Sequence, residues 1–278
     1  MQKDFERHLI RPGETPRLAE VDPADTGDWT KKAARKRLEE IKEQLHSLHE
    51  LLLAERKHGV LIVLQGLDAS GKDGVIKHVA DAFNHIACYA TAFKVPTKAE
   101  LAHDFLWRVH AVTPGRGEVA LFNRSHYEDV LVQRVDNIVP ESVWSKRYDA
   151  INNFEQLLVD NGILVLKFML HISPDEQAER MDSRLADATK HWKFRVDDLA
   201  TRNKWDAYMA AYDDAIHRCS TLYAPWYVIP ADKKWYRNLA IAEVLLAKMR
   251  GLEMRWPPLE KAAEGMTTIA DYRPIASD

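Results

Sequence analysis

The sequence predicts an α/β fold, a three-layer α/β/α sandwich around a parallel sheet. Three observations carry that reading. Apolar runs of strand length at residues 60–65, 118–122 and 163–170 alternate with segments of helical periodicity. The first run is continuously apolar rather than alternating, the pattern of a strand buried on both faces. A glycine-rich turn joins that strand directly to a helix. Crossover helices cover both faces of such a sheet, and ligands bind beyond the carboxyl ends of its strands.

The elements follow in order. Residues 1–30 are polar, contain Pro12, Pro16 and Pro23, and read as an irregular arm. Residues 31–57 read as a helix, because Leu38, Ile41, Leu45, Leu48 and Leu52 recur every three or four positions. That stripe packs on the main body or on a second subunit. Gly59 ends the helix, and the strand and glycine turn lead into a second helix over about 74–84. A short strand is expected at 89–93. Thr97-Lys98-Ala99-Glu100 is a capping-box pattern. A helix opens near Pro140 and runs to about Asp160, with Gly162 closing it. Ser173-Pro174-Asp175-Glu176 starts another, with proline at the first helical position. A last strand at 226–229 precedes a helix at 234–250. From Gly251, with Pro257 and Pro258, the chain reads as a surface tail. The expected organisation is an arm (1–30), one domain (31–256) and a tail (257–278).

Composition removes several classes. Of 278 residues, 46% are hydrophobic and 29% charged, as in ordinary globular proteins. The formal charge of -3 argues against wrapping duplex nucleic acid, although a local basic surface stays open. No apolar run approaches the roughly 20 residues of a membrane span, and residues 1–11 lack the apolar core of a signal peptide. Neither nucleic acid nor membrane is therefore expected as a partner. Cys88 and Cys219 form no zinc or disulfide pattern, which points to a reducing, cytoplasmic compartment.

The first motif is a phosphate cradle. Gly66-Leu67-Asp68-Ala69-Ser70-Gly71-Lys72 has P-loop spacing and sits between strand and helix, the context the motif requires. The glycines let backbone N–H groups curl toward an anion, and the helix N-terminus adds positive potential. Gly66, Ala69, Ser70, Gly71 and Gly74 are thus candidate phosphate-binding positions, and Lys72 brings a mobile charge. Asp73 stands where a Ser or Thr hydroxyl normally meets magnesium. It reads as a metal or phosphate neighbour, or as a carboxylate at the helix N-terminus. Asp68 lies inside the loop, and a carboxylate beside a polyanion makes sense with a divalent cation between them.

The second motif ends the strand at 118–122. P-loop enzymes place an acid here to hold magnesium; this chain has Asn123, with Glu128 and Asp129 close behind. Arg124 and Arg134 offer guanidinium groups for bidentate phosphate contacts.

Together, GLDASGKDG at 66–74, FNRSHYEDV at 122–130 and YAPWYVIP at 223–230 resemble the second family of polyphosphate kinases, over about residues 30–256. The FNRSHYEDV form is similar to class III, whose members phosphorylate both AMP and ADP from polyphosphate. The resemblance implies a P-loop kinase-like fold with a helical lid, and polyphosphate, AMP, ADP and ATP as partners. It implies magnesium, or manganese in its place, held by Asp68 and Asp129. It also implies a homo-oligomer, a dimer or tetramer. Asp68, Lys72, Arg124 and Asp129 would be catalytic.

Residues 180–204 carry seven basic and four acidic side chains, a net +3 (seven minus four) in a chain of -3. Such a segment, here about 174–218, serves small kinases as a lid that excludes water; a solvated helix face is the alternative. The resemblance implies Arg180, Arg184, Lys190 and Lys193 as phosphate contacts. Lys94, near a strand end, is a softer candidate. Trp192, Trp205, Tyr208, Tyr223 and Trp226 read mainly as packing residues.

The favoured function is reversible phosphoryl transfer from polyphosphate to AMP or ADP. An ATP-dependent P-loop kinase acting on a nucleotide or small molecule, and a non-catalytic phosphate-chain or nucleotide sensor, are the alternatives.

Overall fold

The structure of the protein, a computed structural model, describes residues 2–15, 17–260 and 263–268. Its elements are β1 (Leu9–Ile10), α1 (Lys31–Glu55), β2 (Gly59–Gln65), α2 (Lys72–Ala80), β3 (Cys88–Ala92), α3 (Lys98–Leu101), α4 (Trp107–His110) and β4 (Val119–Asn123). Then come α5 (Val132–Val135), α6 (Glu141–Asp160), β5 (Ile163–His171), α7 (Pro174–Leu185), α8 (Val196–Arg202), α9 (Trp205–Cys219), β6 (Trp226–Pro230) and α10 (Lys234–Arg250).

The sheet has strand order β1-β6-β5-β2-β4-β3 and is parallel except at β1, which runs antiparallel to β6. Every residue of β2 is buried, as its unbroken apolar run requires. Successive strand side chains point to opposite faces. Val60, Ile62 and Leu64 therefore join α1, α2 and α10 in one core, while Leu61 and Val63 join α6 and α9 in the other. The three layers expected from the sequence are these two cores and the sheet between them.

The α1 stripe lies against the body of its own chain. Ile41, Leu45 and Leu52 are fully buried in the α10-side core, and Leu38 and Leu48 pack at its margin. Arg37 adds a 2.6 Å ion pair with Glu243 of α10. Thr30 caps α1 by accepting from the Ala33 N–H. The capping box expected at Thr97 is present, with Glu100 as its partner.

The arm before α1 is not loose. Phe5 and Leu18 are buried, and Leu9–Ile10 form the antiparallel edge strand. At this end the sheet thus departs from the all-parallel expectation, since an edge can accept a short strand without a crossover. Of the expected tail, residues 261–262 and 269–278 lie outside the described residues. Among the described residues no helix is long and apolar enough to cross a membrane.

Candidate active site

The parallel register brings the carboxyl ends of β2 and β4 side by side. Leu64 pairs with Asn123, and the Arg124 N–H donates to the Leu64 carbonyl at 3.0 Å. The loop after β2 and the turn after β4 therefore face each other across one cleft.

Backbone geometry in the loop is demanding. Gly66 has φ 148°, and a Cβ there would lie 2.8 Å from both the Leu170 carbonyl and Ser70 Oγ. Ala69 (φ 65°) and Gly71 (φ 101°) are left-handed. Only glycine takes that region freely, so Ala69 holds strain on the order of 1–3 kcal/mol. Turns of this kind curl a loop into an anion-binding concavity. Lys72 Nζ donates to the Gly66 and Leu67 carbonyls at 2.8 and 3.2 Å. Burial lowers its pKa to about 8, with Arg124 adding to the effect against Asp68 and Glu128.

Arg124 (φ 61°) links the two motifs. Its guanidinium contacts Asp68 Oδ1 at 2.6 Å and Glu128 Oε2 at 3.5 Å. Glu128, and after the cost of burial Asp68, hold the guanidinium firmly protonated. Burial pushes the Asp68 carboxyl up, but Lys72 and Arg124 together outweigh it and hold it below the ordinary range. Gly66, Asp68, Arg124, Glu128, Tyr208 and Tyr212 line this cleft.

Asn123 and Asp73 meet directly, with Asn123 Nδ2 donating to Asp73 Oδ1 at 2.7 Å. Glu128 and Asp129 diverge, as neighbours on a 3₁₀ turn must. Asp129 Oδ1 accepts from Arg147 at 2.9 Å, and burial pushes its pKa up to about 6 against Arg147 and Arg108. The carboxylate that shares a partner with Asp68 is thus Glu128, whereas Asp129 is ion-paired with Arg147. Below the turn, Lys167 Nζ donates to Glu155 Oε2 (2.6 Å), Tyr127 OH (2.9 Å) and the Cys219 carbonyl (2.6 Å). His126 and Tyr127 meet the other oxygen of Glu155, and this network is sealed from solvent.

The remaining candidates separate. Arg180 is buried and donates to the carbonyls of Ala69, Ser70, Ala231 and Asp232 and to Glu176. In this conformation it clamps the loop from behind rather than facing the cleft. Arg184 adds to the potential that stabilises the ionised Asp68 while pairing with Asp198 at 3.6 Å. Lys190 pairs with Asp187 at 2.7 Å, and Lys193 lies over the Trp192 ring. Lys94 is exposed, its carbonyl taken by Arg108. Arg134 pairs with Asp214 at 2.5 Å and stacks on Trp144. It lines a separate surface cleft of about 580 Å³ between α5, α6 and α9. That cleft is the larger of the two, but it lacks the loop after β2 and the convergent carboxylates, so the smaller one is the candidate site.

The expected lid divides. Tyr208, Tyr212 and Ile216 of α9 belong to the core, and Gln177, Arg180 and Met181 of α7 are buried. Between them Leu185, Trp192, Val196 and Leu199 are exposed, so the outward segment is shorter than 174–218.

Sequence reasoning passed over Tyr212, whose hydroxyl accepts from the Gly66 N–H at 3.1 Å. It also missed Gln177, which donates to the Asp68 carbonyl at 2.9 Å, and Arg147 and Arg237. Tyr208 and Tyr212 sit one helical turn apart, so their polar tips on one face were the available signal. Gln177, Arg147 and Arg237 carry no local signal.

A strand–loop–helix turn of P-loop spacing, facing an arginine and two carboxylates, has the form of a P-loop phosphotransferase site. The comparisons narrow that class. The family model described as Polyphosphate kinase 2 matches residues 28–257. The chain is 49% identical to the AMP/ADP-polyphosphate phosphotransferase of Meiothermus ruber, covering 94% of this chain and 98% of that one. It is 40% identical to the ADP-polyphosphate phosphotransferase of Rhodopseudomonas palustris, covering 87% and 91%. The crystal structure of Polyphosphate Kinase 2 from Arthrobacter aurescens TC1 superposes with a TM-score of 0.87 at 42% identity, covering 90% and 91%. The chain belongs to the polyphosphate kinase 2 family.

Proposed function

We propose that the protein transfers the terminal phosphoryl group of inorganic polyphosphate to AMP and to ADP, yielding ADP and ATP, reversibly. The observation that carries this is the convergence of Arg124, Asp68 and Glu128 on one cleft at the sheet's carboxyl edge, with the buried Lys72 close enough to feel the charge of all three. The 49% identical relative named for both acceptors supports the pair AMP and ADP.

The acceptor is a phosphate oxygen. It attacks the terminal phosphorus of the chain, and the bond to the next bridging oxygen breaks, leaving polyphosphate one unit shorter. Phosphate monoesters lose their second proton near pH 6, so the attacking group needs no strong general base. Positioning and charge carry such transfers. Lys72 leaves the Gly66 and Leu67 carbonyls and meets the donor chain in the cradle. Arg124 neutralises oxygens on the phosphoryl in transit. The basic stretch from Arg184 to Lys193 closes over the chain and excludes water that would otherwise hydrolyse it.

The residues fit a divalent cation. Asp68 is held ionised at the cleft, and Glu128 stands on the other side of the same arginine. Among the described residues no cluster of three His, Cys, Asp or Glu forms a closed metal cage. Two carboxylates plus substrate phosphates are a usual set for magnesium, and manganese suits the same oxygens. Asp68 with Glu128 is the pair that geometry favours over Asp68 with Asp129. The cation would neutralise charge between donor and acceptor.

A cytoplasmic homo-oligomer is the accompanying reading. Both cysteines are free, which suits a reducing compartment.

The test is incubation with magnesium and polyphosphate plus AMP or ADP, followed by chromatography of the nucleotides. ADP and then ATP formed from AMP supports the reading. Folded, metal-loaded protein that phosphorylates neither nucleotide overturns it.

A further inference from the structure

Arg237 lies beneath the loop after β2 with a charge that no carboxylate among the described residues balances. It is the fourth residue of α10 and only 2% exposed. Nη1 donates to the Ser70 carbonyl at 3.0 Å, while Nε and Nη2 donate to Asn238 Oδ1 at 3.2 and 2.9 Å. All these acceptors are neutral. Arg180 and Lys167, also buried, each have a carboxylate, Glu176 at 2.7 Å and Glu155 at 2.6 Å. Burial, and then the neighbouring Arg180, push the Arg237 pKa down to about 9, with no acid acting against them.

A structural tie does not explain that charge. The Ser70 carbonyl already accepts from Arg180 at 3.1 Å. Burying a cation without a counter-charge is strongly unfavourable. A neutral donor would serve the same carbonyl with less penalty.

The location is specific. A Cβ on Gly71 would fall 1.8 Å from Arg237 Nη1, and one on Gly74 3.2 Å from Nη2. The guanidinium therefore lies against the first turn of α2, whose unpaired N–H groups favour an anion. Gly71, at φ 101°, is needed for room as well as for backbone freedom, whereas at Gly74 a Cβ would make only a close contact with the guanidinium. Lys234, at the start of α10, lies in the field of Arg180, Arg237 and Lys190, which Glu176 offsets in part. The positive region thus extends from beneath the loop toward α10, away from Asp68 and Glu128.

We propose that Arg237 is a positioning residue for the donor, its charge completed by the polyphosphate chain on the opposite side of the loop. Arg237 does not touch the chain. It holds the Ser70–Gly71 backbone and adds its field through one layer of peptide. The acceptor nucleotide, on the Asp68–Glu128 side, gains little from it. This inference rests on the reading that the cradle takes the donor chain.

Arg237→Gln, Arg237→Lys and Gly74→Ala test it, with KM measured separately for polyphosphate and for ADP, alongside kcat and melting temperature. Arg237→Gln is expected to raise the polyphosphate KM roughly tenfold while the ADP KM stays within about twofold. Arg237→Lys should restore most of the loss. Gly74→Ala, which presses on Nη2 while keeping the charge, should shift the polyphosphate KM in the same direction by less. A folded Arg237→Gln variant with both KM values unchanged, or with both raised equally, overturns the proposal. If Arg237→Gln does not fold, unchanged polyphosphate KM in both of the other variants overturns it. Lys72→Ala separates the two readings. If it leaves polyphosphate binding intact, the cradle reading has failed. If it weakens binding while the Arg237 variants do not, only the role of Arg237 has failed.

Discussion

Asn123 Nδ2 donates to Asp73 Oδ1 at 2.7 Å, so the two positions where this chain departs from the usual P-loop pattern are in contact. The usual arrangement has a hydroxyl after the lysine and an acid at the strand end. Here the acid follows the lysine and a neutral donor stands at the strand end. The pair still holds one carboxylate and one donor, with their places exchanged.

Asn123→Asp would set two carboxylates at hydrogen-bond distance. Like charges that close repel, and a divalent cation relieves the repulsion. The cation therefore binds the variant more tightly, and half-maximal rate is expected at roughly tenfold lower magnesium. A magnesium titration of rate checks this, and an unchanged midpoint refutes it.

Asp68→Ala and Lys72→Ala are each expected to lose on the order of 10² or more in kcat with the fold retained. Circular dichroism and steady-state rates decide the matter. Glu128→Gln should raise the magnesium requirement more than Asp129→Asn, because Glu128 shares Arg124 with Asp68 and Asp129 pairs with Arg147.

The buried lysine gives a pH signature. Free protein holds Lys72 with a pKa of about 8 instead of the ordinary 10.5. Its charged form is disfavoured by folding, so the penalty is fully present below pH 8 and fades between 8 and 10.5. A phosphate chain in the cradle favours the ammonium again. Polyphosphate binding at pH 9 should therefore take up protons at this group, and binding at pH 6.5 should not. Calorimetry in buffers of different ionisation enthalpy measures the uptake; equal uptake at both pH values counts against the assignment.

Glu155→Gln would leave the Lys167 ammonium buried without its carboxylate. Breaking a buried pair in this way costs about 3–5 kcal/mol, read as a lower urea midpoint. Burial raises the Glu155 pKa, but Lys167 and His126 outweigh it and the net shift is downward. Its contribution is therefore present above the ordinary carboxylate range and lost as pH falls below it. The wild-type protein should lose more stability between pH 5 and pH 3 than the variant does.

Ile41→Ala tests the docking of α1. Ile41 is wholly buried against the α10-side core, and truncation of such a residue costs about 2–5 kcal/mol. A change below 0.5 kcal/mol would mean that the stripe is covered less completely than its packing indicates.

Much of this protein was legible in the chain alone. The run at 60–65 reads as a central parallel strand, since an unbroken apolar run needs cover on both faces, and all seven residues of β2, Gly59–Gln65, are buried. GLDASGKDG between strand and helix located the cradle, because its chemistry is local and made by backbone within one turn. Arg124 was legible as a candidate from its place at the next strand end. Tertiary structure decided the rest, for one physical reason: pairing between distant segments leaves no local periodicity. It set Glu128, rather than Asp129, beside Asp68. It turned Arg180 beneath the loop and drew Arg134 away to Asp214. It brought Asn123 to Asp73 across 50 residues of sequence, and Arg237 to Ser70 across 167.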